Sequence, residues 1–205
     1  EPASRRYDRD LIASLGIDCV RRPTGGRAVW HARELTYAVA APIASLGGLK
    51  PAYRAIHQLL ARAVAALGAP AAMADDRTVP GIGSGACFDA AVGGEVVVAG
   101  RKVVGSAQRR GDTALLQHGS MLLGDDQSQV RAVQRGAPTS EGLSPEAPLS
   151  AVLGREITFT EAAAALVAVL QATGVETINS PPNEVLARAE RHYDSYRSDT
   201  RIWER

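Results

Sequence analysis

Cys87 and Lys102 are the two residues whose combination could perform covalent chemistry. Cys87 lies among small residues in the run Gly83-Ser84-Gly85-Ala86-Cys87-Phe88-Asp89. A cysteine thiolate is a strong nucleophile and its thioester remains reactive toward an amine, so this side chain could carry an acyl group. Near neutral pH the thiolate needs a positive charge beside it, and Lys102 is the candidate that the sequence offers in an apolar setting.

Lys102 lies in the run Gly100-Arg101-Lys102-Val103-Val104-Gly105-Ser106-Ala107-Gln108, which is apolar and flanked by glycine. Burial disfavours the charged form of a lysine, whereas an anionic partner favours it. The alternative is a solvent-facing lysine beside a turn, and spacing does not decide between the two. If Val98 pairs with Lys102, simple hairpin geometry puts Cys87 opposite Thr113, so the thiol and the amine meet only if the loop folds back.

A basic glycine loop, Arg21-Arg22-Pro23-Thr24-Gly25-Gly26-Arg27, is the next candidate site. Adjacent glycines let the backbone approach a ligand closely, and exposed N–H groups with two guanidinium ions suit an anionic group. Taken alone, such a loop is more often a plain turn.

Trp30-His31 follows this loop, with Glu34 and Tyr37 shortly after. A histidine here could shape a pocket, although a structural role is more common. It has no partner at metal-ligand spacing in the sequence, so we predict no metal site.

Composition sets the broad class of the protein. The chain has 205 residues, 45% of them apolar, and a formal net charge of +1. These values predict one domain of ordinary size and no nucleic-acid partner. The longest apolar runs, 61–68 and 162–170, are too short to span a bilayer, so we predict no membrane partner. The two cysteines lack CxxC spacing and the chain shows no secretion signal, which predicts free thiols and a cytoplasmic location.

Hydrophobic periodicity and turn residues predict the elements of the first half of the chain. They are an amphipathic helix over 4–15, a strand over 17–22, extended structure over 28–31, a strand over 35–39, a helix from Pro51 to Gly68 and a mobile loop over 69–86.

The second half is predicted to begin with a β-hairpin over 95–104 that turns at Ala99-Gly100. A strand over 115–123, a connector over 135–150, a helix opening at Thr160-Glu161 and a last helix near Pro181-Pro182-Asn183 follow. Interleaved strands and helices indicate an α/β or α+β fold. We place a catalytic core in residues 1–135 and a C-terminal helical part of the same domain in 136–205.

The order of these motifs resembles the family of biotin/lipoate-protein ligases and lipoyl/octanoyl transferases. The matching stretches are Val20 to His31 with Glu34-Leu35-Thr36-Tyr37, then Gly100 to Gln108, then Leu116-Gln117-His118-Gly119-Ser120. The resemblance implies a mixed central β-sheet flanked by helices, as in the catalytic domain of that family. Family members normally carry a further stretch before the glycine loop, whereas twenty residues precede Arg21 here. We therefore expect either that a segment is missing from this chain or that a partner supplies it.

Within this family the chain is most similar to the octanoyl-[acyl carrier protein]:protein N-octanoyltransferases. Members resemble it in having Cys-Phe shortly before the Gly-Arg-Lys hairpin and Arg after Gly-Gly. In that subgroup the cysteine forms an acyl-thioester and the hairpin lysine promotes its ionisation, roles that carry over to Cys87 and Lys102. The resemblance assigns substrate binding to Arg21, Arg22, Thr24, Gly25, Gly26, Arg27, Ala28, His31, Gly105, Ser106, Ala107, His118 and Gly119.

The implied reaction consists of two transfers. Cys87 takes an octanoyl group from acyl carrier protein, and a lysine of a lipoyl domain or of a glycine-cleavage H-type protein then takes it from the enzyme without ATP. Two other functions stay open. An ATP-dependent lipoate ligase would use ATP and Mg, although such ligases tend to have a third Gly in place of Arg27. A non-catalytic module would bind acyl groups or lipoyl domains without turnover.

Overall fold

The computed structural model describes residues 3–75, 88, 93–136, 146–178 and 180–204. Its strands form two antiparallel three-stranded sheets that helices flank, so the predicted α+β class is confirmed. The strands are β1 (Glu34–Pro42), β2 (Ala71–Met73), β3 (Val96–Val98), β4 (Arg101–Lys102), β5 (Val104–Arg110) and β6 (Ala114–Leu122). The helices are α1 (Arg9–Ser14), α2 (Leu49–Ala66), α3 (Ser128–Ala132), α4 (Leu149–Leu153), α5 (Phe159–Gln171), α6 (Asn183–Glu190), α7 (Tyr193–Arg197) and α8 (Asp199–Trp203), with 3-10 turns at Ala3–Arg5 and Ile43–Leu46.

The larger sheet has the strand order β1-β6-β5. Tyr37 of β1 opposes Gly119 of β6, which opposes Ser106 of β5 on its other side. Side chains at directly opposed positions of an antiparallel sheet project to the same face. The buried cluster that includes residues of α2 also contains Tyr37, Val104 and Met121. We therefore call the side of the larger sheet that carries these residues the helix face, and the opposite side the open face.

The smaller sheet, in the order β2-β3-β4, contains the predicted hairpin. Ala99 and Gly100 form its two-residue turn with φ angles of 49° and 74°, as expected for a turn that matches the twist of paired strands. Val97 opposes Lys102, so the register is one residue away from the pairing with Val98 considered above.

Part of the loop predicted over 69–86 is wrong, because Ala71–Met73 is a strand. This strand pairs in antiparallel orientation with Val96–Val98, the first strand of the hairpin. Alanine and methionine carry little strand propensity, and this pairing comes from the neighbouring strand rather than from local sequence. Residues 76–86 of the predicted loop lie outside the described residues.

The core of the molecule lies between the larger sheet and two helices. Helix α2 buries Ile56, Leu60 and Val64 against it, as its 3.6-residue apolar pattern predicts. Helix α5 joins the same cluster through Ala162. It begins one residue before the predicted start, because Thr158 rather than Thr160 caps it by accepting a hydrogen bond from the Glu161 N–H.

Two N-terminal predictions and one about the connector are corrected. The helix predicted over 4–15 is shorter, since only Arg9–Ser14 is α-helical. Segment 17–22 forms no strand, because its backbone groups bond to partners outside a sheet; Arg21 N–H, for example, donates to the Tyr196 carbonyl at 3.1 Å. The predicted connector over 135–150 includes the start of α4, at Leu149.

The C-terminal segment folds back onto the N-terminal one. Ile202 and Trp203 of α8 form a second buried cluster with Ile12 and Val133. The partly buried Cys19 packs against this cluster. The division of the chain at residue 135 stays a prediction. None of the helices in the described ranges combines the length and apolar character that crossing a bilayer requires.

Candidate active site

Lys102 is buried, so the alternative of a solvent-facing lysine is wrong. Its side chain is 2% exposed, and its Nζ lies 2.8 Å from Oε1 of Glu95, which is 3% exposed. The Tyr53 hydroxyl donates to the same oxygen at 3.3 Å. A charge in such a setting is stable only beside an opposite charge, so this ion pair keeps the amine in place as an ammonium ion.

Phe88 lies directly against this lysine. Its side chain is fully buried, and Nζ of Lys102 is 5.1 Å from the centre of its ring. The ring also fills the space beside Gly105, where a Cβ atom would lie 2.6 Å from the Phe88 Cζ atom. Phe88 is joined to Cys87 by one peptide bond. Cys87 itself lies outside the described residues, so the pairing of its thiol with Lys102 stays a prediction.

The basic glycine loop contacts the open face of the larger sheet. Thr24 Oγ1 and His118 Nε2 are 2.7 Å apart. Burial lowers the pKa of His118, and Arg22 and His31 lower it further. A neutral imidazole can accept the Thr24 hydroxyl hydrogen, so this contact fixes the loop over β6.

The two arginines at the start of the loop bond to separate parts of the chain. Arg21 Nη2 donates to the Ile202 carbonyl at 2.8 Å, whereas Arg22 Nη2 donates to the Arg27 carbonyl at 2.8 Å. Gly25 and Gly26 have φ angles of 68° and 89°, which L side chains rarely adopt. The glycines therefore permit the loop conformation, while the two guanidinium groups do not converge on one point.

His31 lies in a cluster of polar groups at the open face. Its Nδ1 is 2.7 Å from Oε1 of Glu34, and the Ser120 hydroxyl donates to the same oxygen at 3.0 Å. Thr36 also donates to it. The Glu34 side chain is 5% exposed and that of His31 is 49% exposed. A buried carboxylate thus orients an imidazole ring that is about half exposed.

The segment before His31 is held by a second buried network. Gln127 accepts from the Trp30 N–H at 2.7 Å and donates to the Trp30 carbonyl at 3.1 Å. Gln127 in turn donates its backbone N–H to Glu146, which pairs with Arg131 at 2.7 Å. Both backbone groups of Trp30 are therefore fixed, which limits the positions that His31 can adopt.

The register of the sheet separates the remaining predicted residues into two groups. Gly105 opposes Ser120 and Ala107 opposes His118, so both belong to the open face with the loop. Ser106 lies on the helix face, where its Oγ is 2.9 Å from His57 Nε2 and 2.6 Å from the Tyr37 hydroxyl. A side chain at Gly119 would collide with Gly105 and Tyr37, and Ala28 is half-buried in the segment that follows the loop.

Sequence reasoning missed a polar network on the helix face. Gln117 donates to the Tyr37 hydroxyl at 2.9 Å and accepts from Gln108 at 2.8 Å, extending the chain of bonds that begins at His57 and Ser106. The available signal was the presence of polar residues at inward positions of two predicted strands. Only their partners on α2 make these positions favourable in a core.

His57 is expected to make the protein less stable in mild acid. Burial lowers its pKa to about 4, and the positive charge of Lys102 contributes. An unfolded histidine titrates near pH 6.5, so between pH 6.5 and 4 the unfolded chain binds a proton that the folded protein excludes. The free energy of unfolding should fall by roughly 3 kcal/mol over this interval because of His57. Urea unfolding of the wild type and of His57→Gln at several pH values measures this free energy. If it depended on pH to the same extent in both proteins, His57 would not be the group responsible.

Cys19 provides a contrast to the candidate nucleophile. It is a free thiol, and burial followed by the neighbouring Asp18 carboxylate raises its pKa. A raised pKa keeps the thiol protonated and unreactive, so Cys19 serves as a matched control for the reactivity of Cys87.

Comparison with known proteins places these features in a family. Residues 2–171 match the model of the lipoyl protein ligase A/B catalytic domain. The octanoyltransferase LipM of Symbiobacterium thermophilum is 39% identical over 168 residues, covering 76% of this chain and 61% of that protein. The octanoyltransferase LipM of Kyrpidia tusciae is 41% identical over 141 residues, covering 65% and 52%. The chain thus spans about half to three-fifths of the length of these curated relatives.

Solved structures share the fold. A lipoate-protein ligase A bound with ATP superposes with a TM-score of 0.78 at 20% identity, covering 98% of this chain and 77% of that one. A bipartite lipoate protein ligase with its E2 lipoyl domain, from Thermoplasma acidophilum, gives 0.72 at 19% identity, covering 98% and 76%. The family match extends over most of the described elements. The chain therefore belongs to the lipoyl protein ligase A/B catalytic domain family.

Proposed function

We propose that this protein transfers an octanoyl group from acyl carrier protein to a lysine of a lipoyl-dependent carrier domain, through a thioester on Cys87. The observation that carries the proposal is the contact between the buried Lys102 ammonium and Phe88, the residue that follows Cys87 in the chain. Relatives named octanoyltransferase support the same reaction.

In the first step the Cys87 thiolate attacks the carbonyl carbon of the octanoyl thioester on the phosphopantetheine arm. A bond forms between Sγ and this carbon, and the carbon–sulfur bond to the arm breaks. The arm leaves as a thiolate and takes a proton from solvent. The role of Lys102 is to hold a positive charge beside the attacking sulfur, because a thiol reacts only in its ionised form.

In the second step the amine of the acceptor lysine attacks the Cys87 thioester. A carbon–nitrogen bond forms, the bond to Sγ breaks, and the amine loses a proton. Since an amide is more stable than a thioester, this step proceeds without ATP. A lipoyl domain is the proposed acceptor, with a glycine-cleavage H-type protein as an equivalent one, and a solved relative described with an E2 lipoyl domain supports this class.

We assign the acyl group to the open face of the larger sheet, beneath the glycine loop. Ala107 offers little side-chain bulk there, while Thr24 and His118 fix the loop above it. Phe88 lines the same surface through its contact with Gly105. The reaction is proposed to occur in the cytoplasm, where thiols stay reduced.

A transfer assay tests this function. The purified protein, octanoyl-acyl carrier protein and a lipoyl domain are mixed without ATP, and mass spectrometry follows the lipoyl domain. We expect one octanoyl group on its lysine, and an unmodified domain would refute the proposal. Release of pyrophosphate from ATP and lipoate, with octanoyl transfer absent, would favour a ligase instead; the likeness to an ATP-bound ligase is one of fold.

A further inference from the structure

We infer that His31 is the base that removes the proton from the acceptor lysine during the second transfer, and that Glu34 positions it. The inference rests on the proposed function, because it names a residue for one of its two steps. The second step needs a proton acceptor. The Lys102 amine lies 2.8 Å from the Glu95 carboxylate, and a protonated amine in such an ion pair has no lone pair to accept this proton.

The geometry around His31 is that of a base held by a carboxylate. Nδ1 lies 2.7 Å from Glu34 Oε1, and with the carboxylate ionised this contact requires the hydrogen on Nδ1. Nε2 then carries the lone pair that can accept a proton. The neighbouring carboxylate compensates the positive charge that the ring acquires, in the same way as the acidic member of a catalytic triad.

One carboxylate oxygen of Glu34 is buried and has no hydrogen-bond partner among the described residues. This oxygen is Oε2, whereas Oε1 accepts from Thr36, Ser120 and His31. An unsatisfied buried carboxylate oxygen destabilises a fold, and such groups in native proteins often have a functional reason. A positive charge forming on His31 during the reaction would offset that cost.

The register of the sheet places this pair close to the strand position against which Phe88 packs. The Ser120 hydroxyl is 3.3 Å from His31 Nδ1, and Ser120 opposes Gly105 across the strands. Directly opposed positions have Cβ atoms roughly 5 Å apart on the same face. The Phe88 ring occupies the space beside Gly105, and Phe88 follows Cys87. The half-exposed His31 ring can therefore be reached by a lysine that another protein presents there.

The acceptor lysine enters as the neutral amine and its nitrogen bonds to the thioester carbon. The nitrogen then gives a proton to Nε2 of His31, which later releases it to solvent. The carbon–sulfur bond breaks and the electron pair leaves on Sγ as a thiolate, beside the Lys102 ammonium. The first step requires no such base, because there the nucleophile is already a thiolate.

Separate measurement of the two half-reactions tests the inference. Loading of the purified protein from octanoyl-acyl carrier protein gives the first rate, and decay of the isolated acyl-enzyme upon addition of a lipoyl domain gives the second. We expect His31→Gln to slow the second rate about 100-fold, within the usual range for loss of a general base, and to leave the first within about threefold. Glu34→Gln should slow the second rate about tenfold, and the exposed His192→Gln serves as the control.

The pH profile separates catalysis from a structural role. The groups that the described structure places around His31 are Glu34, His118 and, beside His118, Arg22. The second rate of His31→Gln should lack the dependence on pH that the wild type shows. A second rate unchanged in His31→Gln would overturn the inference, and so would equal loss of both rates. Failure of the wild type to form any acyl-enzyme would instead refute the proposed function.

Discussion

Replacement of Cys87 by serine should abolish octanoyl transfer. A hydroxyl has nearly the size of a thiol but does not ionise near neutral pH, so the covalent intermediate cannot form at a useful rate. We expect the transfer rate to fall by about 10⁶-fold, the scale seen when the nucleophile of a covalent mechanism is removed. The wild type incubated with octanoyl-acyl carrier protein should gain one octanoyl group on the peptide that contains Cys87.

Cys19→Ser is the matched control for this experiment. Burial and Asp18 raise the pKa of the Cys19 thiol, so this cysteine should remain unmodified and its replacement should leave transfer unchanged. An octanoyl group found on Cys19, or a Cys87→Ser variant that transfers at the wild-type rate, would rule out the proposed intermediate.

Lys102→Met should affect both stability and reactivity. The substitution leaves the Glu95 carboxylate buried at 3% exposure without its 2.8 Å counter-ion. Loss of one member of a buried pair destabilises a protein by about 3–5 kcal/mol, which urea unfolding measures. It also removes the positive charge proposed to stabilise the Cys87 thiolate. Alkylation of Cys87 by iodoacetamide should therefore become about tenfold slower or more at neutral pH.

The double variant Lys102→Met with Glu95→Gln separates these two effects. A neutral amide in place of the carboxylate removes the uncompensated charge, so the double variant should regain most of the lost stability. Its alkylation should stay slow, because the cation is still absent. If alkylation of Cys87 recovered together with stability, the lysine would have a structural role only. Mass spectrometry of the two cysteine-containing peptides measures the alkylation of both thiols in one sample, with Cys19 as the internal reference.

Some elements could be predicted from the local sequence alone, because their residue patterns are strong enough by themselves. Helix α2 follows from an apolar stripe along 18 residues, and the hairpin of β3 and β4 follows from valines around a two-residue turn. The family follows from the order of the motifs, which the match over residues 2–171 confirms. The strand predicted over 17–22 is wrong, because a short apolar run becomes a strand only where a neighbouring strand can bond to it.

Tertiary structure decided how the candidate site is assembled. The sequence supplied Lys102, His31 and Ser106, but burial, partners and the face of the sheet depend on residues far away along the chain. Lys102 pairs with Glu95, which also accepts a hydrogen bond from Tyr53, and Ser106 bonds to His57 on the helix face of the sheet. Ionisation and hydrogen bonding respond to groups within a few ångströms in space, whereas sequence patterns report on neighbours along the chain.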